Sequence, residues 1–332
     1  MRKMIELSSI NKTFKVAKRN AGMGEAVKAL FKREYTTVRA LRDVSFRISD
    51  GEMVGYIGPN GAGKSSTVKV MSGILTPDSG SCVINGLCPW KNRREHVRNI
   101  GVVFGQRSQL WWDVPVIDSF ELIKDIYAID GAEYRKNLDE LCERLALGDI
   151  IRTPVRQLSL GQKMKCEIAA SLLHNPKILF LDEPTIGLDA VSKLAVRDFL
   201  KKLNREKNTT VILTTHDMQD IEALAQRILL IGKGSILLDG TLESLKQRNS
   251  AVKKIKVTYA AGSFALPDGI SVASGNPVTE GGGQIVFCAD TEKISVSSAI
   301  EILSKNADIT DISVESETAE ELIVSLYKEF SI

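Results

Sequence analysis

The sequence predicts an α/β chain whose core is a mainly parallel sheet covered by helices, followed by a small α+β unit. Three observations carry this. The apolar run Met53–Ile57 leads into Gly58-Pro59-Asn60-Gly61-Ala62-Gly63-Lys64-Ser65-Ser66 and then into an apolar helix. A second apolar run, Ile178–Leu181, ends in Asp182-Glu183. Between and after them, strand-like and helix-like patterns alternate, which is the signature of helices crossing a parallel sheet.

The order of elements follows from local patterning. Met4–Phe14 reads as an opening strand, with Ile5, Leu7 and Ile10 apolar. Leu41, Val44, Phe46 and Ile48 form a partly alternating strand that turns at Asp50-Gly51-Glu52. Met53–Ile57 is continuously apolar, as a strand buried on both faces must be. Short strands are expected at Cys82–Ile84 and Ile100–Phe104. Mainly helical sequence follows over 116–147, then a helix over Gly161–Leu173, one over 190–203 and a strand at Thr210–Thr214. The large domain spans 1–245 and closes with a hairpin at Ser235–Leu238 and a short helix at Leu242–Gln247. Residues 251–332 read as the small α+β domain: alternating Ile255, Val257 and Tyr259, a strand Gln284–Cys288, a helix over about 293–305, a strand Ile309–Val314, and a last helix opened by the capping box Thr318–Glu321.

Composition removes several function classes. No apolar run approaches the roughly 20 residues that span a bilayer. The first residues, Met-Arg-Lys-Met-Ile-Glu-Leu, lack an apolar signal core, so a cytoplasmic location is expected. Five scattered cysteines form no C-x-x-C pair and read as reduced packing residues. A net charge of +3 makes no general case for nucleic acid. Residues 15–39 depart from this balance, with seven basic against two acidic side chains. Within this basic insertion Val27, Leu30 and Phe31 share one face, with Lys28 and Lys32 on another. That describes either a solvated surface helix or a contact with an anionic membrane surface.

The chemistry resides in four segments. Glycines in Gly58–Ser66 free backbone N–H groups to wrap a phosphate at a helix N-terminus, with Lys64 reaching outer phosphates and Ser65 ligating magnesium. Asp182 and Glu183 sit at the carboxyl end of a strand, where open α/β sheets place their sites. There Asp182 suits a metal and Glu183 an attacking water. Leu158-Ser159-Leu160-Gly161-Gln162 opens a helix, and reads equally as a plain cap or as an anion site. His216, after the strand Thr210–Thr214, is either a surface residue or within reach of a terminal phosphate.

Taken in order, Gly58–Ser65, Gln106, Leu158–Gln162, Asp182-Glu183, Gly187-Leu188-Asp189 and His216 resemble the ATP-binding subunit of an ABC transporter over roughly residues 4–245. The resemblance implies the P-loop NTPase fold of ABC ATPases, with an antiparallel β subdomain and a helical subdomain beside the parallel core. It implies ATP and Mg2+ as cofactors and ATP hydrolysis as the activity. Gly58, Asn60, Gly61, Ala62, Gly63, Lys64, Ser65 and Ser66 would hold phosphate. Ser65, Gln106 and Asp182 would face the metal, with Gln109 the lesser candidate for the loop glutamine. Glu183 would be the catalytic base and His216 the γ-phosphate switch. Ser159, Gly161 and Gln162 would close on the ATP of a second copy, and Asp189 would link the two sites, giving two ATPs sandwiched in a head-to-tail homodimer. Phe14 or Tyr35 would stack on adenine, with Phe14 favoured because inserted segments tend to follow the stacking residue. Leu160 departs from the usual glycine. The small domain is similar to tails of exporter ATPases serving daunorubicin, sodium or polysaccharide. The expected function is therefore to power export through a separate integral-membrane permease, from the inner face of the cell membrane. A non-transport ABC ATPase and an importer ATPase with a regulatory tail are the alternatives. Trp111-Trp112, just after Gln106, are either partly packed or the permease contact.

Overall fold

The computed structural model describes the chain except for residues 1–2, 18–34, 106, 245–251, 265, 276–281, 306, 317 and 332. The chain divides between Asp239 and Gly240 into two compact units. The expected basic helix around Val27, Leu30 and Phe31 lies outside the described residues, and so does Gln106.

The larger unit holds two sheets. Strands β1 (Lys3–Ala17), β2 (Tyr35–Ser49) and β4 (Ser79–Ile84) form an antiparallel sheet in the order β2-β1-β4. Both β1 and β2 run further than their apolar patterning indicates. Lys15, Val16 and Ala17 pair with Thr37, Thr36 and Tyr35, so the flanks of the basic insertion are paired strand. Alternation fades there because this end of the pair is exposed on both faces, and backbone pairing alone extends it.

The second sheet has six strands in the order β5 (Ile100–Phe104), β6 (Ile178–Asp182), β7 (Thr210–Thr214), β3 (Met53–Ile57), β8 (Arg227–Gly232) and β9 (Ser235–Thr241). Pairings from β5 through β8 are all parallel. Every residue of β3 and β7 is buried, which explains why their sequences show no polar alternation. Lys233 and Gly234 turn β8 into β9 with φ of 48° and 85°, the positive pair that a tight hairpin turn requires.

Helix α1 (Lys64–Met71) follows β3 and packs between the two sheets, with Val68, Val70 and Met71 in a core shared with Ile5, Leu41, Tyr56 and Phe180. A short helix α2 (Arg93–Val97), not anticipated from the sequence, precedes β5. The expected helical stretch resolves into α3 (Val116–Tyr127) and α4 (Gly131–Leu145), separated where Ala128 takes φ 49° and Asp130 caps the next helix through the Ala132 and Glu133 N–H groups. Helix α5 (Leu160–Leu172) leads to β6, α6 (Ala190–Lys207) to β7, and α7 (Met218–Leu224) to β8.

In the second unit, β10 (Val252–Gly262), β11 (Ile270–Ser274), β12 (Gly283–Asp290) and β13 (Ala307–Ser316) form an antiparallel sheet ordered β11-β12-β10-β13. Helices α8 (Val296–Ser304) and α9 (Ala319–Glu329) complete it, and the Thr318/Glu321 capping box is present as expected. Ile255, Val257, Tyr259, Phe264 and Phe287 form its core. β11 was not anticipated, because it is only five residues long and buries only Ile270.

Phe180 is fully buried in β6, the strand that delivers Asp182. Phe180→Ala is expected to destabilise the larger unit by about 3–5 kcal/mol, read as a shift in urea midpoint; a loss below about 1 kcal/mol contradicts this packing.

Candidate functional site

Register brings the expected residues together. Tyr56 and Asp182 both pair with Thr214, and Phe104 pairs with Asp182, so β3, β5, β6 and β7 end level. The segments that follow these strands therefore emerge side by side at one edge.

The loop after β3 is shaped by its glycines. Gly61 and Gly63 have φ of 80° and 115°, and Gly63 occupies the N-cap of α1. A Cβ on Gly63 would stand 2.8 Å from the Ala40 carbonyl oxygen, and one on Gly58 would stand 2.2 Å from that of Ile231. The chain passes too close to its neighbours for any side chain at either position. Past this loop the first N–H groups of α1 have no intrahelical acceptor, which suits them to an anion. Tyr56 and Thr67 hydroxyls bond at 3.0 Å, and Thr67 donates to the Gly63 carbonyl at 3.1 Å, pinning the helix start.

Lys64 is buried and folds back over the loop, donating to the Gly58 and Pro59 carbonyls at 2.6 and 3.2 Å. Burial lowers its pKa, and the carboxylates of Glu183 and Asp182 oppose that. Ser65 Oγ lies 3.3 Å from Asp182 Oδ2, while Thr214 Oγ1 donates to Asp182 Oδ1. Glu183 adopts φ 56° and its N–H donates to the Thr214 carbonyl at 2.9 Å. His216, largely exposed, places Nδ1 2.7 Å from Glu183 Oε2. Burial raises the Glu183 pKa, with His216 and Lys64 pulling the other way. One ammonium, two carboxylates and an imidazole thus share one edge, with Ser65 and Asp182 supplying two oxygen donors of the kind magnesium takes. Gly105 closes the side of the site, since a Cβ there would meet the Asp182 and Glu183 carbonyl oxygens at 2.8 Å.

The remaining segment lies at the start of α5. Ser159 is its N-cap: its hydroxyl accepts the Gln162 N–H at 3.2 Å, and Gln162 Oε1 accepts the Ser159 N–H at 2.9 Å. The helix therefore begins at Leu160, one residue earlier than expected. Gly161 is buried against α6, where a Cβ would fall 2.5 Å from Ser192 Oγ. Asp189 caps α6 through the Ser192 N–H at 2.9 Å, which holds its carboxyl below the usual range. Leu160, which stands where a glycine was expected, reaches over Gly187, its Cδ2 2.7 Å from where a Cβ on that residue would be.

Of the two aromatics considered for adenine, Phe14 is half-buried on β1 with Lys12 Nζ 5.8 Å from its ring, and Tyr35 is exposed at the start of β2. Gln109 is committed elsewhere, its Nε2 donating to the Glu167 carbonyl at 2.9 Å. Two buried groups near the site were not singled out from sequence: Glu167 and the Arg197–Asp220 pair, the latter with Nε to Oδ1 at 2.6 Å. Buried charged residues inside amphipathic helices were the available signal.

Native Glu183 holds its proton more tightly than an unfolded glutamate, whose pKa is about 4.3. Its charge therefore costs the fold stability as pH rises through that value and the raised native one. Glu183→Gln is expected to melt above wild type by a few degrees near pH 7, with the gap shrinking toward pH 4.5, in thermal melts without nucleotide. A gap that is flat or inverted with pH counts against it.

The ABC transporter family matches residues 41–186. The ATP-binding protein NatA of Bacillus subtilis is 33% identical over 65% of this chain and 87% of its own length. The daunorubicin resistance ATP-binding protein DrrA3 of Streptomyces coeruleorubidus is 34% identical over 70% of this chain and 73% of its own. A linearmycin resistance ATP-binding protein of Bacillus subtilis, LnrL, is 29% identical over 89% of this chain and 96% of its own. Among solved structures, a dimeric ATP-binding cassette, MJ0796, in a post-hydrolysis state with ADP and Pi superposes with a TM-score of 0.59, 28% identity, and 72% and 99% of the two chains. The chain belongs to the ABC transporter ATP-binding proteins and is an ATP-hydrolysing cassette.

Proposed function

We propose that this chain powers export through a separate integral-membrane permease, working as a head-to-tail homodimer that sandwiches two ATPs at the cytoplasmic face of the membrane. The observation that carries the nucleotide half of this reading is the shared edge of Lys64, Asp182, Glu183 and His216. Gly58–Ser66 bind the phosphates, and Lys64 turns from the Gly58 carbonyl toward the outer ones. Ser65 and Asp182, with Gln106, hold Mg2+, which would neutralise phosphate charge. Glu183 takes the proton of the attacking water, and its raised pKa brings it nearer the working pH of a general base. His216, 2.7 Å away, orients that carboxylate and faces the γ-phosphate. Phe14 stacks on adenine in preference to Tyr35.

Ser159, Gly161 and Gln162 complete the ATP site of the second copy, and Asp189 lies in the loop between the two sites. The dimeric relative bound to ADP and Pi supports the sandwich. Relatives named for daunorubicin and linearmycin resistance support export over import, and the linearmycin relative extends along the smaller unit as well. Trp111 and Trp112 are 60% and 57% exposed, an aromatic pair suited to anchor the permease. No helix among the described residues is long and apolar enough to cross a membrane, so the passage would be the permease's.

Lys64→Ala is expected to weaken ATP binding at least tenfold in a titration; unchanged affinity refutes the phosphate role. Glu183→Gln is expected to bind ATP, hydrolyse at least a hundredfold more slowly and elute as a dimer with ATP; phosphate release near the wild-type rate removes Glu183 as base. Co-purification in detergent with a co-expressed candidate membrane protein from the neighbouring genes, together with ATPase stimulation, tests transport; failure of both sinks that reading.

A further inference from the structure

The segment after β5 is fastened to α5 by a buried carboxylate. Glu167 lies in the most buried stretch of α5, between Cys166 and Ile168, and is 5% exposed. Its Oε1 accepts the Ser108 hydroxyl, and its Oε2 accepts the Gln109 N–H at 3.2 Å. Gln109 Nε2 returns to the carbonyl of Glu167 itself at 2.9 Å, and the Leu110 N–H donates to Ser108 Oγ at 3.2 Å. One turn earlier on the same helix, Lys163 sets its ammonium 5.2 Å from the Trp112 ring centroid and attracts the Glu167 charge. Residues 108–112 therefore grip two successive turns of the helix that begins at Ser159.

A carboxylate is an expensive way to fill this position. Burial disfavours its charge and raises its pKa, and only the Ser108 and Gln109 contacts, with Lys163, offset that. An apolar side chain would bury at lower cost but would hold nothing. What the carboxylate supplies is a fixed place for one loop, because its described hydrogen bonds all go to residues 108 and 109. Trp111 and Trp112 follow immediately, and Asp113 is tied to Arg156 at 3.1 Å, just before the turn that opens α5.

We propose that Glu167 is a positioning residue that makes residues 108–112 and α5 one mechanical body, so that a load applied at Trp111–Trp112 displaces Ser159–Gln162. The inference rests on the reading that this turn completes the second copy's ATP site.

The test compares the full chain with Glu167→Ala, Glu167→Gln, Ser108→Ala and the Ser108→Ala/Glu167→Ala double variant. Hydrogen exchange reads the clamp without any appeal to catalysis. Glu167→Ala is expected to speed exchange at the Gln109 and Leu110 amides at least tenfold, with α6 unchanged, and with the Trp111 amide, which donates to Ser119 Oγ at 3.0 Å, affected less. Unchanged exchange at Gln109 and Leu110, or equal acceleration throughout the larger unit, overturns the clamp. In steady-state hydrolysis, Glu167→Ala is expected to lower kcat about tenfold while ADP affinity, read by calorimetry, stays within twofold. Glu167→Gln, which keeps an acceptor for Ser108, should fall between it and wild type. The double variant should match Glu167→Ala alone; a multiplicative loss, or kcat within twofold of wild type in Glu167→Ala, overturns the proposal. Failure of the sandwich itself shows separately, as Glu183→Gln that neither stalls nor dimerises with ATP.

Discussion

Levelling the ends of adjacent parallel strands is the constraint on which the rest depends. Because Tyr56 and Asp182 share Thr214 as their register partner, the phosphate loop, the acidic pair and His216 leave the sheet at one height. The sheet must then be buried on both faces, since the site needs a medium in which a lysine and two carboxylates attract strongly. That burial pushes Lys64 and Glu183 toward their neutral forms. Their mutual attraction opposes it, while the Asp182 charge supports the Lys64 ammonium and adds to the push on Glu183. Lys64 and His216 are the groups that favour the Glu183 charge, and Glu183 and Asp182 those that favour the Lys64 charge, so the edge behaves as one electrostatic unit.

Much of this was legible in the sequence because it is written in local chemistry. A positive φ at Gly61 and Gly63 demands glycine, and a strand covered on both faces demands an unbroken apolar run. Those requirements act within a few residues, and the phosphate loop, β6 and β7 were found where they are. Elements held mainly by pairing were less visible. The outer halves of β1 and β2 carry exposed side chains, and β11 is five residues long with only Ile270 buried, too short to establish a hydrophobic period. Contacts across the chain were invisible in principle. Ser108 and Glu167 stand 59 residues apart, and no spacing rule connects them.

Ser159 shows how two readings of one residue can coexist. Cap and anion donor looked like alternatives in the sequence. In the structure the hydroxyl accepts one N–H from Gln162, which uses one of its two lone pairs and leaves its hydrogen free to donate. The cap fixes the direction of the hydroxyl, and a phosphate held by a second copy would meet a donor already oriented. Leu160 sharpens the same point. Where a glycine would leave this turn loose, its side chain lies over Gly187, so the turn and the loop toward Asp189 are shaped against each other.

Behind the site, a single buried carboxylate ties two of these loops to α6. Asp220 is fully buried and accepts from Arg197 on α6, from Thr185 in the loop after Glu183, and from Thr215, the neighbour of His216, at 3.4 Å. Asp217 adds a second link from the His216 segment to α6, through Lys193 at 2.5 Å. A buried ion pair contributes little net stability over an apolar substitute, yet breaking one partner costs about 3–5 kcal/mol. Its consequence is therefore geometric. The backbone around Glu183 and His216 cannot shift at one point without straining the Asp220 anchor at the other or at α6. Small adjustments at this edge fall to side-chain rotations, of Lys64 away from the Gly58 carbonyl and of His216 about Glu183. Larger ones must carry both loops and α6 together.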